Sequence, residues 1–230
     1  MRILSLLLAF AVLTIAFGCS ESGDDTTRSD SAIDAATLFG LESGRRLVYL
    51  QTDTVTNPDF SITVTTDFET VNVAGNDNDW IIRNGDSSVI NLKLTDNSII
   101  QNGHWYSTIQ GDSLKYFAVP PILMHRSLSD ANLWEGYTPH FFDGSQSLSM
   151  LWYYGYFGFY FTKEYEGRVQ LQLPAGSFET YHFKVALYRN PIGGEPDVTV
   201  DEYFVPSIGM AQLNLRGAAL NRTLSLISYQ

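Results

Sequence analysis

The chain has a single cysteine in 230 residues, Cys19. No internal disulfide and no thiolate metal site can form from it, so burial and hydrogen bonding alone must hold the fold. Cationic residues are also scarce, with 14 Lys and Arg against 25 Asp and Glu and a net charge of −11. That balance repels phosphate backbones and anionic headgroups, and so excludes nucleic acid as a partner. Histidine occurs at His104, His125, His140 and His182, with no His-Glu-x-x-His spacing. Gly-x-Ser-x-Gly elbows and Gly-rich phosphate loops are missing. Asn76-Asp77-Asn78-Asp79 lacks the glycine and distal glutamate of an EF-hand and reads as a hairpin loop. No metal, cofactor or catalytic residue is assigned. Beyond Phe17 there is no further apolar run long enough to span a bilayer.

What is present starts with that first run. Arg2 supplies a positive start, Ile3 to Phe17 is apolar except for Ser5 and Thr14, and small Gly18 precedes Cys19. At about 15 residues the run falls short of the ~20 that a spanning helix needs, so residues 1–18 read as a cleaved secretory signal. Ala16-Phe17-Gly18-Cys19 resembles the lipobox of bacterial lipoproteins, with Ala16 where that family more often has Leu. The resemblance implies that Cys19 is lipidated on its thiol and becomes the mature N-terminus, giving a membrane anchor in the cell envelope. Ser20, in place of Asp, implies an outer-membrane destination under the best-known sorting rule. The alternative is a secreted protein cut near Gly18 with an incidental thiol. Loss of residues 1–18 leaves 13 basic against 25 acidic residues.

Ser20 to Ser31 has no hydrophobic residue and several acids, so it cannot offset its ordering entropy and reads as a flexible tether. Residues 19–31 are thus lipidated cysteine and tether, and 32–230 one β domain. Ile33 to Leu41 fits a helical turn or two before Gly44. Thereafter the apolar period is 2, not 3.6. Val169, Leu171 and Leu173 alternate with Arg168, Gln170 and Gln172; Tyr181, Phe183, Val185 and Leu187 alternate with His182, Lys184 and Ala186. These pattern as half-buried antiparallel strands, as do Phe60 to Val64, Ile90 to Thr95, Leu213 to Arg216 and Leu224 to Leu226. Turn signals fall at Gly75-Asn76-Asp77, Asn84-Gly85-Asp86, Asn102-Gly103 and Gly111-Asp112. The expected fold is all-β, a curved antiparallel meander forming a half-barrel, barrel or sandwich with at most short helices. Val119 to Pro139 is the least regular part. It reads as a crossing between two groups of strands, with a short helix over Ser127 to Leu133.

Four segments in order, LFGLESGRRLVYL, VPPILMHRSLSDANLWEGY, LPAGSFETYHFKV and DEYFVPSIGMAQL, resemble the framework of uncharacterised bacterial secreted and lipoprotein families. Leu38-Phe39-Gly40-Leu41 lacks the proline usual there, and Trp134 precedes Gly136 where those families place it after. The resemblance implies architecture and is silent on chemistry. Independently of it, Pro174-Ala175-Gly176 makes a turn in which Gly176 is free to take positive φ, and Pro206 with Gly209 breaks Tyr203–Val205 from Met210–Leu215.

Leu151 to Phe161, LWYYGYFGFYF, holds eight aromatics and no charge. Gly155 and Gly158 suit a tight connection between two strands. Trp152, Tyr154, Phe157 and Phe159 are the candidate contacts for a hydrophobic or extended ligand, since stacked rings offer large apolar area with polar tips. The same pattern also suits a hairpin buried on both faces. Gly111-Asp112-Ser113-Leu114 matches the short motif that opens one esterase family. No histidine follows His182 to complete it, so Asp112-Ser113 reads as turn residues. The functional expectation is a lipid-anchored envelope protein of non-enzymatic type that binds a hydrophobic or extended ligand or an envelope protein partner. The alternatives are a lipid-tethered hydrolase built on His104, His125 or His140, and a structural component of an envelope complex. Exposed sheet edges leave strand addition open, including self-pairing.

Overall fold

The computed structural model describes residues 34–84, 88–96, 98–108, 111–116, 122–125, 133–137, 160–188 and 194–230. A short helix, α1 (Ala35–Leu38), precedes thirteen strands: β1 (Arg46–Thr56), β2 (Ile62–Asn76), β3 (Asp79–Asn84), β4 (Ser88–Leu94), β5 (Ser98–Thr108), β6 (Gly111–Tyr116), β7 (Ile122–His125), β8 (Leu133–Tyr137), β9 (Tyr160–Leu173), β10 (Gly176–Tyr188), β11 (Val198–Val205), β12 (Gly209–Gly217) and β13 (Leu220–Tyr229). All belong to one antiparallel sheet in the order β6-β5-β4-β3-β2-β1-β13-β12-β11-β10-β9-β8, with β7 paired to β5. Each of the two groups, β1–β6 and β8–β13, is a meander of neighbours in sequence. The seam between them is the β1–β13 ladder, from Leu47 opposite Tyr229 to Val55 opposite Leu220.

The sheet is open and curled, the half-barrel among the forms expected. Its curl brings the β9–β10 turn back to β13, where the Ala175 amide donates to the Leu226 carbonyl at 3.3 Å. Phe178 meets Tyr229 edge-on at 6.2 Å. One core fills the concave face, built from Leu47 and Tyr49, Val71 and Val73, Leu92 and Ile99, Phe183 and Val185, Val200 and Phe204, Leu213 and Leu224. Period-2 alternation puts these positions on one side of each strand. Bulges at Val48/Tyr49, His182/Phe183 and Tyr203/Phe204 tighten the curl by inserting a residue on one strand only.

The helix seals one end of this core. Asp34 caps it, its Oδ1 accepting from the Ala36 amide at 3.0 Å. Leu38 is fully buried, and Phe39 packs on Phe204 at 5.3 Å. Gly40, at φ 60°, lies so close to the β11–β12 turn that a Cβ would sit 2.2 Å from the Ile208 carbonyl oxygen. That turn carries Ser207 at φ 64° and Gly209 at φ 112°, which makes the expected break at Pro206 a hairpin. Gly176 takes φ 139° directly after Pro174-Ala175.

Four expectations are corrected. Asn102-Gly103 is not a turn. It lies inside β5, where Asn91 pairs with Gly103 and Leu92 with Gln101, so Asn102 is the extra residue of a bulge. Asp112 and Ser113 are likewise ladder residues of β6, opposite Ser107 and Tyr106. The irregular crossing contains two strands, β7 and β8; of the helix expected over Ser127 to Leu133 all but Leu133 lies outside the described residues, and Leu133 starts β8. Finally, Phe60 to Val64 is not half-buried: Phe60, Ile62 and Val64 are 87%, 68% and 61% exposed.

Candidate binding surface

The exposed residues Phe60, Ile62, Val64 and Phe68 share one hairpin, and the β1–β2 pairing explains why. Its register runs without a break from Arg46 opposite Asn72 to Thr56 opposite Ile62. In the half nearest the core, apolar side chains point to the concave face: Leu47 opposite Val71, and Tyr49 one step on. Further out the concave-side positions turn polar, with Gln51 opposite Asp67 and Asp53 opposite Thr65. Arg222 of β13 closes on Asp53 there through two hydrogen bonds of 2.7 Å. The apolar positions meanwhile change sides. Leu50 opposite Phe68, Val64 opposite Thr54 and Ile62 opposite Thr56 face outward on the convex side. Side-chain period in a strand is 2, so moving the apolar set from odd to even numbers moves it to the other face.

This outer half of β2 also has an unoccupied edge among the described residues. The described part of β3 pairs with β2 from Val71 to Asn76, and among the described residues the backbone of Ile62 to Phe68 is laddered to β1 alone. The Asn57 amide donates to the Ser61 carbonyl and the Val73 amide to the Arg45 carbonyl. Antiparallel hydrogen-bonded pairs alternate, so odd-numbered residues bond β1 and the N–H and C=O of Ile62, Val64, Thr66, Phe68 and Thr70 face outward. The Phe68 amide is held locally by Asp67 Oδ1 at 2.7 Å. At the tip, Phe60 takes φ 64°, and Ser61 donates through its amide and hydroxyl to Asp59. Those two bonds hold the Asp59 carboxyl below its ordinary value. An open edge with an apolar flank is what strand addition uses: the backbone supplies affinity and alternate side chains supply selectivity.

Two polar clusters lie elsewhere. On the concave side, Lys163 Nζ is 2.6 Å from Glu202 Oε2, with side chains 5% and 0% exposed. The ammonium sits 5.1 Å from the Phe183 ring centre and 5.6 Å from that of Phe204. Nearby, the Tyr49 hydroxyl donates to the Met210 carbonyl at 2.7 Å, and burial pushes its phenol well above the usual range. On the convex side, His182 Nε2 lies 3.0 Å from Asp201 Oδ1, Arg216 donates to Asp201 Oδ2 at 3.1 Å, and the His182 ring stacks on Tyr203 at 4.5 Å. Burial, then the Asp201 carboxylate, raise the Tyr203 phenol. Among the described residues the hydrogen bonds of this dyad run to Arg216 and to no nucleophile. No group of three or more His, Cys, Asp and Glu is arranged for a metal among the described residues.

The residues singled out by sequence fare unequally. Cys19, Trp152, Tyr154, Phe157, Phe159 and His140 lie outside the described residues. Of the aromatic block's end, Phe161 is 3% exposed and belongs to the core. His125 pairs with Ser98 on β5, six positions along that strand from His104. At ~3.3 Å per residue this separates their backbones by roughly 20 Å, so the fold does not bring those two together. The hairpin edge was missed because alternation reports period, not which side is buried. Its signal was the switch from odd apolar positions at Val71 and Val73 to even ones at Ile62, Val64 and Phe68.

No protein family's sequence profile matches the chain, and no curated protein does. Solved structures that align with most of it include three of bacterial origin. A β-barrel-like protein of a domain of unknown function from Brucella abortus is 9% identical, with 82% of this chain and 97% of that one covered and a TM-score of 0.41. A candidate lipoprotein from Parabacteroides distasonis is 14% identical, covering 84% and 98%, at 0.37. A candidate exported protein with a YmcC-like fold from Bacteroides fragilis is 10% identical, covering 84% and 99%, at 0.38. Likeness at this level carries no argument about function. Among the described residues no helix is long and apolar enough to cross a membrane.

Proposed function

We propose that this chain is a lipid-anchored protein of the cell envelope whose β domain binds a partner polypeptide along the outer half of β2. Anchoring rests on the lipobox-like Ala16-Phe17-Gly18-Cys19, with an outer-membrane destination following from Ser20. Two or more acyl chains at Cys19 would make the attachment stable, each buried CH₂ adding about 0.8 kcal/mol. One observation carries the binding role: among the described residues an edge is open from Ile62 to Phe68, flanked by side chains 61% to 68% exposed at Ile62, Val64 and Phe68. Apolar side chains held out on a projecting hairpin contribute nothing to this core, and burial against a partner recovers their transfer free energy.

The test has two arms in intact cells. Cys19→Ser should move the chain from the membrane to the soluble fraction, and retention in the membrane would contradict the anchor. A photo-cross-linking phenylalanine analogue at Phe68 should give a light-dependent protein adduct, while the same group at Val169, 38% exposed on β9, should not. Adducts from both positions, or from neither, would contradict the docking surface.

A further inference from the structure

The edge that is open among the described residues fits a copy of itself. We propose that its occupant is β2 of a second copy of this chain, paired antiparallel about a two-fold axis through Thr65; this rests on the docking reading above. Only even-numbered residues offer edge-facing backbone groups, so an antiparallel partner must set even opposite even. With Thr65 opposite Thr65 of the second copy, Ile62 faces Phe68, Val64 faces Thr66 and Thr63 faces Asp67. Every edge-facing group from Ile62 to Phe68 is then paired, in about eight hydrogen bonds. The local Asp67 contact to the Phe68 amide gives way to a carbonyl of the second copy.

Side chains select this register. On the convex face it sets Ile62 against Phe68 twice, an aromatic against a β-branched residue, which is a favourable cross-strand pairing. On the other face a threonine hydroxyl stands opposite each Asp67 carboxylate. Centring on Asp67 would instead set two carboxylates directly opposite, which destabilises. Sliding by two residues towards β3 would place Ser61 of the second copy opposite Val71, a position already taken by Asn84. The hairpin tip therefore stops the slide. One self-complementary edge closes a two-fold dimer and uses up this stretch of β2 in both copies, and anchoring both copies in one membrane raises their effective concentration.

Disulfide trapping in the envelope of cells making the full chain tests this. In a non-hydrogen-bonded antiparallel pair the Cα atoms lie about 4.5 Å apart, within the ~4.4–6.8 Å that a disulfide spans. Thr65→Cys should thus yield a reducible dimer at least tenfold above Thr63→Cys, whose two copies stand roughly 13 Å apart in this register. The parent chain, with Cys19 alone, sets the background. Co-expressed Thr63→Cys and Asp67→Cys chains should restore the dimer. Equal trapping at positions 65 and 63, or none at either with none from the mixed pair, overturns the homodimer. If Phe68 cross-links to a different protein while Thr65→Cys stays monomeric, the homodimer falls and edge docking stands; if Phe68 yields no adduct, both fall.

Discussion

Replacing Lys163 with Met should destabilise the fold far more than any exposed charge change, because of what it leaves behind. Lys163 and Glu202 are 5% and 0% exposed, with the ammonium beside both the Phe183 and Phe204 rings. Methionine has nearly the same length, and its thioether packs well against aromatic rings, so little volume is lost. The charge balance is lost, and a buried Glu202 without its cation costs about 3–5 kcal/mol. For a domain of this size each kcal/mol lowers Tm by about 2–4 °C, so the variant should melt roughly 6–20 °C below the parent. Removing both charges behaves differently: Lys163→Met with Glu202→Leu should be neutral or stabilised by about 1–4 kcal/mol, since neither ion then needs desolvating. Urea denaturation of parent, both single variants and the double variant measures this as a cycle. A cost below about 1 kcal/mol for Lys163→Met, the range of exposed pairs, would refute the buried pair. A double variant as unstable as the single would show that packing, not charge, was lost.

Tyr49→Phe removes the hydroxyl that donates to the Met210 carbonyl and should cost about 1–3 kcal/mol at neutral pH, read by urea denaturation. The same change should flatten the alkaline limb. Tyr49 and Tyr203 hold their protons more tightly folded than unfolded, so stability is full below the ordinary value of 10.0 and falls as pH rises past it; a limb as steep in Tyr49→Phe as in the parent would show that Tyr49 does not drive it. Arg222→Ala breaks the paired hydrogen bonds to Asp53 across the β1–β13 seam and should cost about 2 kcal/mol, with Arg222→Lys recovering only part. Gly40→Ala combines a left-handed backbone, worth about 1–2 kcal/mol, with a clash on Ile208, so calorimetry should show a loss above about 2 kcal/mol.

The β class was legible because period-2 alternation survives wherever one face is buried, as in Tyr181 to Leu187 and Leu213 to Leu215. Turns were legible where proline and glycine act together, at Pro174–Gly176 and Pro206–Gly209, and misleading where Asn-Gly serves a bulge, at Asn102-Gly103. Chain order hid the β1–β13 seam, since pairing of the first strand with the last depends on curvature that no local pattern encodes. The buried lysine was illegible for a similar reason. Lys163 sits in alternation with Phe161 and Tyr165 as though apolar, and the placement of Glu202 two strands away helps make that position tenable. Weight placed on the aromatic block followed composition, whereas the exposed apolar surface of β2 is marked by phase, with Leu47, Tyr49, Val71 and Val73 inside and Ile62, Val64 and Phe68 out.

Amide hydrogen exchange on β2 tests most directly whether its edge is a binding surface. In the isolated chain, diluted in detergent, the Val64 and Thr66 amides face solvent while those of Thr65 and Asp67 bond β1, so fast and slow exchange should alternate along the strand. In envelope membranes, the proposed docking on this edge should make Val64 and Thr66 as slow as Thr65 and Asp67. If they exchange in membranes as fast as in the diluted chain, the edge is empty in its own setting and the docking account is wrong.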